Sequence, residues 1–341
     1  MSEILVRREG RAGRITLDRP DALNALTWKM VRAIHAALEE WRDDVDVDLL
    51  IFDGTGRSFC AGGDIREMYE AGRRGDHDYG LRFWADEYRM NAALFGFPKP
   101  VVSFLQGYTM GGGVGVGCHA SHRVVREDSR IAMPECGIGL VPDVGGSLIL
   151  ARAPGRLGEF LGLTGHRMGP GDAILAGFAD YLVPGGWDAL IADLCATGDP
   201  GMVDRAAAPA PEAPLAARRA LIDAQFAGTT LLDIVNGLEA AEDPQAAKMR
   251  ERIGEVSPLS AACTVELLRR VRGLDGIADA LRQEYRFTSR ASEHGDFVEG
   301  IRAAIIDRDG APRWRHPGIR AVTPADVASM LAPPPGGDLK L

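Results

Sequence analysis

Three consecutive glycines follow a strand-like apolar run. Met110-Gly111-Gly112-Gly113-Val114-Gly115 comes shortly after Pro100 to Leu105. Without Cβ atoms, backbone N–H groups there can approach a ligand closely. If a helix opens at this point, its unpaired first-turn N–H groups and its dipole favour negative charge, which suits a phosphate or a developing oxyanion. A second glycine-containing turn, Arg57-Ser58-Phe59-Cys60-Ala61-Gly62-Gly63-Asp64-Ile65-Arg66, has the same strand-to-helix setting. Two such turns can aim two N–H groups at one point, the arrangement that stabilises an oxyanion on a thioester carbonyl. Taken alone, each turn is equally a site of close backbone packing.

Several other chemistries lack support. The patterns G-x-G-x-x-G, G-x-x-x-x-G-K-[ST] and G-x-S-x-G are absent, which argues against a dinucleotide fold, a P-loop and a serine elbow. His119 and His122 are three residues apart, but no third ligand follows at metal-site spacing, so packing or hydrogen bonding is the better reading and no metal is expected. Cys60 and Cys118 lie close to the glycine turns without a His or Asn partner pattern, and read as small packing residues.

The elements that must position these turns follow from hydrophobic periodicity. Ile4 to Arg8 and Arg14 to Leu17 read as a hairpin around Gly10 to Gly13. Thr27 is a suitable N-cap for an amphipathic helix in which Met30, Ala33, Ile34, Ala37, Leu38 and Trp41 recur on one face. Leu49 to Phe52 and Pro100 to Leu105 are buried strand candidates, Arg123 to Val125 and Arg130 to Met133 shorter ones, and Tyr79 to Phe95 is helical. Strands alternating with helices predict an α/β core with largely parallel pairing. Beyond Pro184 the pattern changes: Gly198 to Ala216 reads as a loop, and helices are predicted over 217–226, 231–241, 260–272 and 277–290. The expected organisation is a core over 1–186, a helical region over 187–330 and a disordered Pro-Gly tail over 331–341.

Composition bounds the function class. The chain has 341 residues, 46% hydrophobic and 26% charged, with a formal net charge of −9 and no basic stripe, which argues against nucleic-acid binding. No apolar run approaches the roughly 18 residues of a membrane span. The five cysteines are scattered and include no C-x-x-C, and the first residues lack a basic-then-apolar signal pattern. These features predict reduced thiols and a cytoplasmic protein.

Three segments carry a family resemblance. Ile15-Thr16-Leu17-Asp18-Arg19-Pro20-Asp21-Ala22-Leu23-Asn24-Ala25-Leu26, Ser58 to Ile65, and Gly107-Tyr108-Thr109-Met110-Gly111-Gly112-Gly113 resemble the crotonase (enoyl-CoA hydratase/isomerase) superfamily. The resemblance implies an α/β fold, a crotonase-like ββα-repeat spiral core with a C-terminal α-helical region, acting on an acyl-coenzyme A thioester. It places the two oxyanion donors at the N–H groups of Gly63 and Gly112. Ala22, Leu23 and Ala25 match the loop beside the adenine and pantetheine, and Arg57 stands where a basic residue often meets the phosphates. Ala61, Asp64 and Ile65 complete the substrate-binding turn, with Asp64 expected to cap the following helix.

The same resemblance separates branches of the family. Family hydratases carry one catalytic Glu three residues after the middle glycine, a position occupied here by Gly115, which cannot transfer a proton. Their second Glu follows a proline and is present in Met133-Pro134-Glu135. Glu87 to Asn91, Met110 to Val116, Ala132 to Glu135, Gly139 to Gly146, Leu163 to Gly165 and Asp296 to Ala303, with Asp307, Pro312 and Trp314, resemble the branch that hydrolyses 3-hydroxyisobutyryl-CoA in valine breakdown.

By that likeness Glu135 is the central carboxylate, either attacking the thioester or activating water. Asp143 would protonate the leaving thiolate or orient water. Glu87 would accept a hydrogen bond from a substrate hydroxyl. From residue chemistry alone Asp143 is a turn residue and Glu87 a solvated helix residue. Coenzyme A enters as part of the substrate, no other cofactor is implied, and family habit adds a homo-oligomer. Two rivals share the fold: an enoyl-CoA hydratase or isomerase, and a non-catalytic acyl-CoA-binding protein.

Overall fold

The computed structural model describes residues 3–341. The chain divides into two units, one built from residues up to 63, 86–132 and 167–216, the other from 64–85, 133–166 and 217–341. This interleaving does not follow the boundary at 186 expected from composition. Composition reports where strands give way to helices, not which segments pack together.

The first unit contains the sheets. β1 (Ile4–Glu9) and β2 (Ala12–Leu17) form the predicted hairpin, antiparallel, with Ile4 opposite Leu17. β3 (Leu49–Gly54), β4 (Val101–Phe104), β6 (His122–Val125) and β8 (Tyr181–Leu182) extend it in parallel, in the order β1-β2-β3-β4-β6-β8. β5 (Tyr108–Met110) and β7 (Arg130–Ala132) pair in parallel as a second, two-stranded sheet. The central strands are buried on both faces, which is why Leu49-Leu50-Ile51-Phe52 is a continuous apolar run. On one face Leu49, Ile51, Val102 and Phe104 pack with Leu190, Ile191 and Leu194 of the helix Trp187–Thr197. Each such aliphatic side chain stabilises the fold by about 1.5–3 kcal/mol. The helix Trp28–Trp41 starts as predicted, with Thr27 accepting from the Met30 N–H at 3.2 Å.

The second unit is helical among the described residues. Its centre is the helix Pro258–Val271, capped by Ser257 and packed against Gly146–Arg152, Leu157–Thr164, Ile277–His294 and Pro324–Met330. Helices also fall where none was predicted, among them Gly201–Ala206, in the first unit, within the expected loop, and Pro244–Glu255. The latter is started by Asp243, which accepts from Gln245 and Ala246 N–H groups.

Residues 331–341, expected to be a disordered tail, are placed against the helix Ile277–His294. Arg286 holds Asp338 with two bonds of 2.8 and 2.7 Å, Arg290 donates to the Ala332 and Pro333 carbonyls, and Arg282 to that of Leu339. Leu331 and Leu339 are buried.

Candidate functional site

The first glycine turn is stitched to its surroundings from two sides. The Cys60 N–H donates to Tyr108, and the Met110 N–H donates to Cys60, at 3.0 and 2.9 Å, tying the turn to β5. The Leu26 N–H donates to Gly62 and the Ala61 N–H to Leu23, at 2.9 and 3.0 Å, tying it to the 22–26 loop. Gly62 has φ of +123° and Gly111 φ of +50°, so both turns require the conformational freedom of glycine where they bend.

Gly112 begins a six-residue helix, Gly112–Gly117, and as its first residue its N–H has no partner inside that helix. A Cβ built on Gly112 would lie 3.2 Å from the Gly63 nitrogen, 3.2 Å from Glu87 Oε1 and 3.3 Å from Leu26 Cδ1. The structure therefore brings together the two proposed N–H donors and the Glu87 carboxyl. Glu87 is buried, not on a solvated helix face. Gly113 differs: its Cβ would meet the Cys60 carbonyl oxygen at 2.3 Å, so its small size serves backbone packing.

The loop beside this turn is organised by Asn24, a residue to which sequence reasoning gave no role. Its side chain accepts from the Arg19 N–H at 2.7 Å and donates to the Thr55 and Ser58 carbonyls at 2.9 and 2.8 Å. Leu23 and Asn24 both adopt left-handed backbone, and the Arg19 guanidinium donates to the Ala25 carbonyl. Within it Ala22 is exposed, while Leu23, Ala25 and, in the adjoining turn, Ala61 are half-buried. Arg57 is exposed.

The next helix begins at Arg66, with Ile65 and not Asp64 at the cap position. The helix starts one residue later than the sequence suggested.

Gly115 lies inside the Gly112–Gly117 helix, buried, and its carbonyl accepts from the Asn91 side chain at 3.0 Å. The Cys60 and Cys118 thiols are pushed up to about 12 by burial, which keeps both protonated and unsuited to nucleophilic attack. His119 packs edge-on against Phe95, and His122 stacks on Tyr181.

Glu135 and Asp143 belong to the second unit. Glu135 opens the 3-10 turn Glu135–Ile138 and is 4% exposed. The turn is pinned by Cys136, whose carbonyl accepts from the Ser257 N–H at 3.0 Å and whose thiol meets the Thr264 hydroxyl at 3.2 Å. Asp296, in the C-terminal motif, accepts from the Ser257 hydroxyl at 2.6 Å and from the Arg315 N–H at 2.8 Å. Gly300 of the same motif sits so close that a Cβ would reach the Ile138 carbonyl oxygen at 2.2 Å. The Asp296 to Ala303 segment thus acts as scaffolding for the Glu135 turn.

Asp143 is also 4% exposed and leads into Val144 and Gly145, both in left-handed backbone, before the helix Gly146–Arg152. The Asp143 carbonyl accepts from the Gly146 N–H at 2.7 Å. A third carboxyl joins here that sequence reasoning missed. Glu284, fully buried on the helix Ile277–His294, accepts from the Gly145 and Ser147 N–H groups at 2.9 and 3.2 Å and from the Ser147 hydroxyl. Burial raises its carboxyl to about 8, and the Asp143 charge adds to the rise, while the bonds from Ser147 and Gly145 oppose it.

Among the described residues, no helix is long and apolar enough to cross a membrane.

Comparisons with known proteins find relatives over the length of the chain. The sequence profile described as enoyl-CoA hydratase/isomerase matches residues 12–331. A Gallus gallus protein, the mitochondrial 3-hydroxyisobutyryl-CoA hydrolase, is 36% identical over 356 residues, covering 100% of this chain and 91% of that one. The crystal structure of an enoyl-CoA hydratase from Rhodobacter sphaeroides is 54% identical, with a TM-score of 0.95 and 100% of both chains covered. That of a carnitinyl-CoA dehydratase from Mycobacterium thermoresistibile is 40% identical, with a TM-score of 0.93, covering 99% of this chain and 98% of the other.

These names correct the expectation of a cytoplasmic protein. The Gallus gallus relative and its counterparts from Danio rerio and Homo sapiens are all named mitochondrial. Buried, unpaired cysteines report a reducing environment, and that does not identify a compartment.

Proposed function

The chain belongs to the enoyl-CoA hydratase/isomerase family, and on that premise we propose that it is an acyl-CoA thioester hydrolase acting on 3-hydroxyisobutyryl-CoA. The observation that carries this reading is Gly115. It occupies the position of a hydratase's acid/base carboxylate, is buried in a glycine-rich helix, and offers only a carbonyl that Asn91 already engages. Water addition across a double bond needs that lost carboxylate, whereas thioester hydrolysis needs an oxyanion stabiliser and one carboxylate acting on water or carbonyl.

In this reading the oxyanion role falls to the N–H groups of Gly63 and Gly112. Glu135 either attacks the carbonyl carbon, giving a mixed anhydride that water then opens, or takes a proton from the attacking water. In both routes the C–S bond breaks and the coenzyme A thiolate leaves with a proton, which Asp143 donates. Glu87, close to Gly112, accepts the hydrogen bond of the substrate's 3-hydroxyl. Ala22, Leu23, Ala25, Arg57, Ala61, Asp64 and Ile65 contact the coenzyme A part of the substrate. The reaction asks nothing of a metal or redox cofactor. Assembly into a homo-oligomer belongs to the same proposal and is read by light scattering on the eluting protein.

The names of the solved relatives favour a second reading, enoyl-CoA hydration. One steady-state comparison decides. Thiol release and enoyl absorbance are followed with 3-hydroxyisobutyryl-CoA, 3-hydroxypropionyl-CoA and crotonyl-CoA. Thiol release from the branched hydroxyacyl substrate is expected. Hydration of crotonyl-CoA without thiol release from any of the three would sink the hydrolase.

A further inference from the structure

We propose that Ser257 and Thr264 are positioning residues for the reaction, fixing through Cys136 the turn that presents the Glu135 carboxyl. This rests on the hydrolase reading above, in which Glu135 acts on the thioester or on water. Ser257, Ser260 and Thr264 are spaced three and four residues apart, so their hydroxyls share one face at the start of the helix Pro258–Val271. All three residues are fully buried, in a helix whose other buried positions include Leu259, Ala261, Val265 and Leu268. Replacing bonded buried hydroxyls by apolar groups of the same shape is nearly neutral for stability, so packing alone gives no reason for such a stripe.

The bonds supply the reason. Cys136, the residue after Glu135, is held at two atoms. Its carbonyl accepts from the Ser257 N–H at 3.0 Å, and its thiol lies 3.2 Å from the Thr264 hydroxyl. Each holder is itself held. The Ser257 hydroxyl donates to Asp296 at 2.6 Å and accepts from the Ser260 N–H at 3.1 Å. The Thr264 hydroxyl donates to the Ser260 carbonyl at 2.8 Å, and with that hydrogen committed its oxygen accepts from the Cys136 thiol. Asp296 also packs on the far end of the turn, where a Cβ on Gly139 would lie 2.8 Å from its own Cβ. There the Leu140 N–H donates to the Glu135 carbonyl at 3.0 Å. A 3-10 turn has poorer hydrogen-bond geometry than an α-helix, so this one depends on such outside partners. A carboxyl displaced by about 1 Å from its reacting atom can lose about 10²-fold in rate. The Ser260 hydroxyl takes no part: it has no hydrogen-bond partner among the described residues.

The test follows thiol release from 3-hydroxyisobutyryl-CoA for the parent protein, E135Q, S257A, T264V, T264S and S260A, at a temperature where circular dichroism shows each folded. E135Q separates the two proposals: if it keeps more than about a tenth of the parent kcat, the role of Glu135 fails and the stripe has nothing to position. With Glu135 established, S257A is expected to lower kcat about 10-fold or more and T264V about 3-fold or more, both with KM within about 2-fold. T264S keeps the hydroxyl and should return to within about 2-fold of the parent kcat. S260A removes a buried hydroxyl from the same helix face without breaking a bond to the turn, and should keep the parent kcat. S257A also loses a helix cap and should melt lower. T264V leaves that cap in place, so it carries the test where S257A does not fold. Parent kcat in S257A or in T264V overturns the proposal, as does a loss in S260A equal to theirs. A T264V loss that T264S does not restore, or a raised KM with parent kcat, also overturns it.

Discussion

Around Gly63 and Gly112 the chain presents backbone N–H groups, and strand pairing with a neighbouring loop holds them in place. Around Glu135 and Asp143 it presents side-chain carboxyls on short turns, and helices distant in sequence hold them. The first region achieves its geometry by subtraction: a Cβ at Gly112 or Gly113 would intrude. The second achieves it by addition of buried polar partners, each of which must be satisfied. Damage to the first should therefore be steric and local. Damage to the second should be chemical and dependent on pH.

The largest expected effect comes from the second region. Glu135→Gln is isosteric and should fold with an unchanged melting temperature, yet lower kcat for thiol release by about 10²–10⁴-fold. A variant retaining more than a tenth of parent kcat would remove Glu135 from the chemistry, about the smallest loss such a role allows.

Next in size, the two adjacent glycines should part company. Gly112→Ala places a methyl group 3.2 Å from the Gly63 nitrogen and from Glu87, and should reduce kcat by about 10²-fold while the protein remains folded. Gly113→Ala drives a methyl group into the Cys60 carbonyl, so its loss should appear first as a lower melting temperature. Identical thermal and kinetic behaviour of the two would erase the distinction between site glycine and packing glycine.

A smaller effect belongs to pH and stability. Glu284 holds its proton to about 8 in the folded chain, against an ordinary value of 4.5. Across that window the folded state binds more protons than the unfolded one, so stability falls as pH rises. The melting temperature of the parent should drop between pH 5 and 8 relative to E284Q, which cannot titrate there. Parallel curves would mean that Glu284 is not held protonated.

The smallest effect is expected at the arginine-held tail. Arg286→Ala removes a partly exposed ion pair with Asp338 and should cost about 1 kcal/mol or less in denaturant unfolding, leaving kcat intact. A kcat change comparable to that of Gly112→Ala would tie the tail to the chemistry.

What was readable in the sequence divides along the same line. The glycine turns were visible because their requirement is local, with backbone freedom written in the residue type itself. The helix start at Thr27 and the apolar strand at Leu49 to Phe52 were visible for the same reason. Glu284 was hidden because its partners lie 137 and 139 residues away, and a Glu on an amphipathic helix reads as a solvated one. Asn24 was hidden because the carbonyls it holds lie 31 and 34 residues away. The helix Pro244–Glu255 carries a start signal, Asp followed by Pro, but it buries only Ala246, Met249 and Ile253, too sparse a face for a clear period. The tail misled because Pro and Gly suggest disorder, whereas Arg282, Arg286 and Arg290 recur every four residues and form one continuous grip.

Val144, a β-branched residue at φ of 53°, occupies a conformation that valine disfavours by about 1–3 kcal/mol. Glycine would accept this backbone with ease, but Val144 is buried, and losing its packed side chain while freeing the unfolded chain costs at least as much as the strain relieved. The same exchange would slacken the hinge between Asp143 and its Glu284 tether. Backbone ease and side-chain packing are thus set against each other at a single codon, and a laboratory selection for heat resistance or for turnover would be expected to keep valine there.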